Sequence, residues 1–257
     1  MKLSTEGLSF SYGATPLLSD VNLEFDSSGL VCVVGPNGVG KTTLVKCMVG
    51  LLKPTGGRVL IDGTDTASMK AIEVARRMAY VPNSASTVFR TTVSEFVLLG
   101  RFPHSQWSTS DEDLDVTDSV MDTMKLQGLA DRDVGELSSG QMQRVLIARG
   151  LAQQPEVLIL DEPTSNLDVA AQMDVLGFLR TYARETGTTV LTVCHDLNLA
   201  SMFADRAVVV SGGGIYADGR SEDVFTEAVV SDVYGVRCKA IDVEGRPHVI
   251  LLPGEMQ

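Results

Sequence analysis

The sequence is poor in the residues that build metal and redox sites. Its three histidines, His104, His195 and His248, lie far apart with no metal-ligand spacing, so a zinc site is not expected. Its four cysteines, Cys32, Cys47, Cys194 and Cys238, form no C-x-x-C pair, which leaves free buried thiols in a reducing compartment as the expectation. No apolar run approaches the ~18 to 20 residues that span a bilayer. The opening "MKLSTEGLSFSYG" lacks the apolar stretch of a signal peptide, so a cytoplasmic chain is expected. Basic residues are also short, 21 against 33 acidic ones, for a formal charge of −12. A general nucleic-acid binder needs a surface that neutralises phosphate, and this balance argues against one. An acidic, solvated surface that keeps the chain soluble fits it better.

What the chain does have is apolar content, 44% over 257 residues, enough for one large core. No repeat or linker interrupts it. "LSFSY" and "VNLEF" alternate as half-buried strands do, with Leu8, Phe10 and Tyr12 on one face. "LVCVV" reads as a strand buried on both faces, and "KTTLVKCMVGLL" after it as a helix. "GRVLIDG" runs into an Asp62-Gly63 turn. "TVSE", Thr92 to Glu95, is a capping box, and "SDEDLDVTDSVMDTMKL" places acids where a helix dipole favours them. "EVLIL", "AAQMDVLGFLRTYARE", "TTVLTVC", "LNLASMFA" and "RAVVV" then alternate strand and helix, the pattern of a parallel α/β sheet. "KAIDVEGRPHVILL" looks like a hairpin around Glu244-Gly245.

Three short stretches carry chemistry. "GPNGVGKT" comprises Gly35, Pro36, Asn37, Gly38, Val39, Gly40, Lys41 and Thr42. It fits the phosphate-binding loop and stands between a buried strand and a helix, the context that loop needs. Backbone N–H groups can turn inward around phosphate oxygens. Lys41 can reach the outer phosphates, and the Thr42 hydroxyl can ligate Mg2+. "VLILDEP" ends a strand in Asp161, suited to a Mg2+ shell, and Glu162, suited to polarising a water. In "ELSSGQMQRVLIARGLA", Ser138, Ser139 and Gly140 open a helix. That start is either a plain serine cap or a second phosphate site, and one nucleotide has little use for two unless the second belongs to a partner.

In this order, the motifs resemble the ATPase domain of ABC transporters over nearly the whole chain. "GPNGVGKTT", which includes Thr43, resembles the Walker A motif. "LSSGQ", which includes Gln141, resembles the signature, with Ser139 where glycine is common. "LILDEP" is similar to Walker B, "SNLD" (Ser165 to Asp168) to the D-loop, and "CHD" places His195 at the switch histidine. The resemblance implies ATP and Mg2+ as ligands, and Glu162, His195 and Lys41 as the catalytic groups. It also implies a head-to-tail dimer with two ATP between Walker A of one copy and the signature of the other. It places Tyr12 against adenine, although Tyr12 also shares a face with core residues. His195, likewise, could be a satisfied core histidine.

"LLGRFPH" and the tail "VVSDVYGVRCKAIDVEGRPHVI" resemble the ATPases of iron–siderophore, haem and cobalamin importers, the tail most of all the ferric-siderophore members. That resemblance sets Arg101, Phe102 and Trp107 at or near a groove for a permease; packing inside the helical region is the alternative. It further implies an extracytoplasmic substrate-binding protein as an indirect partner and a peripheral place on the cytoplasmic face of the membrane. The expected fold is α/β: a P-loop core sheet, an antiparallel β subdomain and a helical subdomain at about 91–150. The ATPase domain would span 1–235 and a hairpin extension 236–257. The expected function is ATP hydrolysis that energises iron–siderophore import. The alternatives are import of haem, cobalamin or another solute, and a soluble ABC ATPase not tied to transport. One residue departs from the family: after Tyr-Val-Pro a glutamine is usual, and Asn83 stands there, one methylene shorter. Asn83 is expected to keep a polar role toward Mg2+ or the attacking water through a bridging water.

Overall fold

The computed structural model describes residues 1–26, 28–83, 90–105 and 108–253. Trp107 and most of "NSAS" therefore lie outside the described residues. Strands β1 (Leu3–Tyr12) and β2 (Thr15–Phe25) form an antiparallel pair. With β4 (Gly56–Ile61) and β5 (Thr64–Asp65) they make a four-stranded sheet in the order β2-β1-β4-β5. Between them in sequence come β3 (Gly29–Val34) and helix α1 (Lys41–Met48). Asp62 and Gly63 both have positive φ, 49° and 81°, as a tight two-residue hairpin turn requires.

The second sheet carries the site. After α2 (Ala71–Arg77) come β6 (Met78–Val81) and three helices, α3 (Val93–Leu98), α4 (Asp111–Thr123) and α5 (Ser139–Ala152). Then follow β7 (Val157–Asp161), α6 (Val169–Thr186), β8 (Thr189–Val193), α7 (Leu197–Phe203), β9 (Arg206–Ser211) and β10 (Gly214–Arg220). The sheet order is β10-β9-β3-β8-β7-β6. β9, β3, β8, β7 and β6 run parallel, and β10 is antiparallel at the edge. All six residues of β3 are buried because both faces are covered. Val31 and Val33 pack toward α1 and the antiparallel sheet, and Leu30, Cys32 and Val34 toward the helices of the other layer. That explains a strand without alternation. The fold is α/β with a P-loop core sheet, an antiparallel sheet and a helical region.

Local signals account for most boundaries. Thr92 and Glu95 make the reciprocal bonds of a capping box at the start of α3, and Ser110 caps α4 above three acids in its first turn. Helix α1 stops at Met48, short of the expected end at Leu52, because Gly50 turns left-handed at φ 75°. The chain closes with α8 (Ser221–Val224), α9 (Glu227–Tyr234) and the hairpin of β11 (Arg237–Val243) and β12 (Arg246–Leu252). Glu244 and Gly245 form its turn. All four cysteines are free and buried. Among the described residues no helix is long and apolar enough to cross a membrane.

Candidate functional site

Parallel strands put their C-terminal ends on one side of the sheet, where ligands gather in such folds. Here β3 leads into the loop 35–40, β7 ends at Asp161-Glu162, and β8 leads to His195. The three segments are adjacent because β3, β8 and β7 are neighbours. Around them lies a cleft of about 420 Å³, lined among others by Tyr12, Asn37, Lys41, Thr42, Glu162 and His195.

The loop's glycines are required by close approach. Gly35 has φ +150°, and a Cβ there would stand 2.2 Å from the Val210 carbonyl oxygen. Gly40 has φ +105°, and a Cβ would meet Leu18 at 2.8 Å. Lys41 Nζ donates to the carbonyls of Gly35 and Pro36, each at 2.8 Å, and is 5% exposed. Burial lowers the Lys41 pKa, against the opposing pull of Glu162 and Asp161. The ammonium is thus held at the mouth of the phosphate loop by bonds that phosphate oxygens can replace.

Thr42 Oγ1 donates to Asp161 Oδ1 at 2.8 Å, and Tyr80 Oη donates to Asp161 Oδ2 at 3.0 Å. Burial and the Asp161 carboxylate push the Tyr80 hydroxyl's pKa up. Thr42 and Asp161 offer an oxygen-only donor pair. That is too few for a full cage, but it suits Mg2+, which keeps waters and takes phosphate oxygens. Among the described residues no cluster of three or more His, Cys, Asp and Glu could hold a metal by itself.

Glu162 sits at φ +54°, a left-handed turn at the end of β7 that few non-glycine residues adopt. Its Oε1 accepts from His195 Nε2 at 2.5 Å, and its Oε2 accepts from Asn83 Nδ2 at 3.1 Å. The Asn83 oxygen accepts from the Ser165 hydroxyl, which also lies 3.0 Å from the Glu162 carbonyl oxygen. His195 is therefore no buried core residue; its side chain is 44% exposed. Asn83, expected to act on Mg2+ or the attacking water through a bridging water, has both ends of its amide engaged by Glu162 and Ser165. Sequence reading missed Tyr80 and Ser165. Their positions were visible, on β6 and in the D-loop, but nothing in the sequence said where the two hydroxyls aim.

Tyr12 is exposed on the rim. Leu8 and Phe10 are buried, whereas Tyr12 is 58% exposed. The alternation of β1 holds through Phe10 and Ser11 and ends at Tyr12, the last residue of the strand. Its ring stands edge-on to Phe10 at 4.9 Å, with its hydroxyl 3.5 Å from Thr43.

The signature residues do not join this cleft. Ser138 caps α5, accepting from the Gln141 N–H at 3.3 Å, while Gln141 Oε1 accepts from the Ser138 N–H at 3.0 Å. Ser139 and Ser138 are exposed. Ser139 Oγ reaches only the Asn166 carbonyl, at 3.3 Å. Arg101 corrects an expectation. It is 3% exposed, with Asp113 Oδ1 at 2.9 Å, the Ala152 carbonyl at 2.9 Å and Gln154 at 2.8 Å. A charge placed there is satisfied internally and cannot meet a partner. Phe102, next to it, is 74% exposed.

Comparison with known proteins agrees with this arrangement. The ABC transporter family matches residues 18–165. An uncharacterized ABC transporter ATP-binding protein of Methanocaldococcus jannaschii is 38% identical over 97% of this chain and 98% of its own. The ferric enterobactin transport ATP-binding protein FepC of Escherichia coli is 36% identical over 98% of this chain and 94% of its own. A solved metal-chelate type ABC transporter in an inward-facing conformation aligns with a TM-score of 0.85 at 27% identity, covering 98% of this chain and 97% of the other. With a phosphate loop, a paired carboxylate end and His195 at the ends of adjacent parallel strands, the chain belongs to the ABC transporter family and is an ATPase of it.

Proposed function

We propose that this chain energises an importer of iron(III)–siderophore complexes. It would sit on the cytoplasmic face of the membrane, held there by a permease, and work as a head-to-tail pair of copies. The observation that carries the reading is the split site: Lys41, Thr42, Glu162 and His195 share one cleft, while Ser138 to Gln141 form a capped helix start outside it. Walker A residues 35–43 of one copy and the signature of the next, Ser138, Ser139, Gly140 and Gln141, would enclose each ATP, with Tyr12 against adenine.

The chemistry is attack of water on the γ-phosphorus in line with the departing ADP. Lys41 exchanges its two carbonyl partners for β- and γ-phosphate oxygens. His195 leaves Glu162 for the γ-phosphate, which frees Oε1. Glu162 then accepts the proton of the attacking water as the P–O bond to ADP breaks. Thr42 and Asp161 would hold Mg2+, which would supply neutralisation of phosphate charge. Asn83 stands close enough to Glu162 to act on the water side of this site.

The permease would meet a concavity of about 490 Å³ lined among others by Leu98, Leu99, Phe102, Ser105 and Thr109. Leu99 and Phe102 are 58% and 74% exposed there, more apolar surface than a solvated loop needs. The cargo rests on relatives such as the ferric enterobactin protein, since an ATPase does not touch what is carried. An extracytoplasmic binding protein would deliver it. The test is uptake of radiolabelled iron–siderophore by cells that carry this chain with its permease and binding protein. Uptake should need ATP and vanish with Lys41→Ala. Uptake of haem or cobalamin instead would contradict the cargo, and uptake that survives Lys41→Ala would contradict the ATPase role.

A further inference from the structure

We infer that Ser165 and Asn83 form a positioning chain that aims the Glu162 carboxylate. The inference rests on Glu162 being the general base. The bond directions follow from donor and acceptor types. A carboxylate only accepts, so Asn83 must present its NH2 end to Glu162 Oε2, at 3.1 Å. That fixes the amide's other end as the oxygen, which needs a donor, and the Ser165 hydroxyl supplies it. The hydroxyl has a single proton, and the Asn83 oxygen and the Glu162 carbonyl both lie within its reach. The Glu162 carboxylate thus sets which way the Asn83 amide faces, the Ser165 hydroxyl holds the amide oxygen at the far end, and Asn83 in turn restrains the plane of the carboxylate.

The value of these bonds shows once His195 departs. Among the described residues each Glu162 side-chain oxygen has one side-chain partner, His195 on Oε1 and Asn83 on Oε2. Once His195 turns to phosphate, Oε1 is free for water while Oε2 stays tethered. A carboxylate held at one oxygen loses less freedom at the transition state than an untethered one. The backbone at Glu162 is already in a left-handed turn, φ +54°, so side-chain bonds complete what the backbone begins. Ser165 belongs to the segment just before α6, and Asn83 follows β6. The chain of bonds therefore ties two separate strand-end loops to the base.

Steady-state hydrolysis at saturating Mg2+, together with ATP affinity, tests the inference. Ser165→Ala should lower kcat about tenfold, the effect of one lost hydrogen bond at the transition state, with KM and ATP affinity unchanged. Ser165→Thr keeps the hydroxyl and should restore kcat to within about twofold of the parent. The double variant Ser165→Ala with Asn83→Ala should be no slower than Asn83→Ala alone, because both break one chain. In nucleotide-free protein labelled with ¹⁵N, the Asn83 side-chain NH2 signal, identified by its loss in Asn83→Ala, should shift in Ser165→Ala. Parental kcat in Ser165→Ala, or losses that multiply in the double variant, would overturn the inference. Glu162→Gln separates it from the reading it rests on. If Glu162→Gln hydrolyses at the parental rate, the base assignment fails. If Glu162→Gln is inactive while Ser165→Ala keeps the parental rate, only the positioning chain fails.

Discussion

Arg101 is enclosed while Phe102, one residue on, faces outward, and the two should respond differently to truncation. The Arg101–Asp113 pair has side chains only 3% and 4% exposed. Removing one partner of a buried pair strands the other charge, at a cost of about 3 to 5 kcal/mol. Arg101→Ala should therefore lower the unfolding temperature sharply, whereas Phe102→Ala should stay within about 0.5 kcal/mol of the parent. Ser110's backbone N–H, then the Arg101 guanidinium, hold the Asp113 carboxyl well below the usual carboxylate range. A carboxyl depressed in the folded state stabilises it above the unfolded value of about 3.9, and that contribution is lost as pH falls further. Thermal melts of the parent and Asp113→Asn should differ most at neutral pH and converge below about pH 4. A gap that does not change with pH would show that the pair contributes no pH-linked stability. The residues of the phosphate loop were legible because their spacing is itself the chemistry. Arg101 was not, because a charged residue beside an aromatic reads the same whether its partner, here Asp113 twelve positions on, waits inside the protein or on another one.

The last hairpin is fastened to α7 by a side chain that acts as a strand. Asn198 Oδ1 accepts from the Val249 N–H at 2.7 Å, and its Nδ2 donates to the Val249 carbonyl at 3.1 Å. Ser201 donates to the Pro247 carbonyl, and Arg246 to the Ala204 carbonyl at 2.8 Å. Thus the open edge of β12 is capped, and the hairpin is tied to the helix that begins just after His195. Asn198→Ala leaves two backbone groups without these partners, which costs about 1 to 3 kcal/mol locally. Amide exchange in 246–252 should quicken while β3 stays protected, and unchanged exchange there would mean that the hairpin is held by packing alone. Elements with a strong period or cap were readable: the β3 run, the "TVSE" start of α3 and the Glu244-Gly245 turn. Strand β10 was not, because it is an edge strand in which no position is buried and half-buried positions alternate with exposed ones. The full length of α1 was misjudged for a local reason, the left-handed Gly50.

At the scale of the molecule, the parallel sheet gathers Glu162, the phosphate loop and His195 at one cleft, and the signature residues 138–141 are not among those that line it. The motifs and their order were legible in the sequence. Their mutual bonds, such as Tyr80 to Asp161 and Ser165 to Asn83, were not, since they join residues about 80 positions apart. Under the proposed function, a signature outside that cleft would meet a phosphate only on a second copy. Glu162→Gln tests this most directly: the amide cannot take the water's proton, and loss of a general base typically costs about 10² to 10⁴-fold in rate, so ATP is held and not cleaved. Size-exclusion chromatography of Glu162→Gln with ATP and Mg2+ should show a dimer that returns to monomer when nucleotide is withdrawn. A variant that stays monomeric at saturating ATP and Mg2+ would contradict the shared-site account.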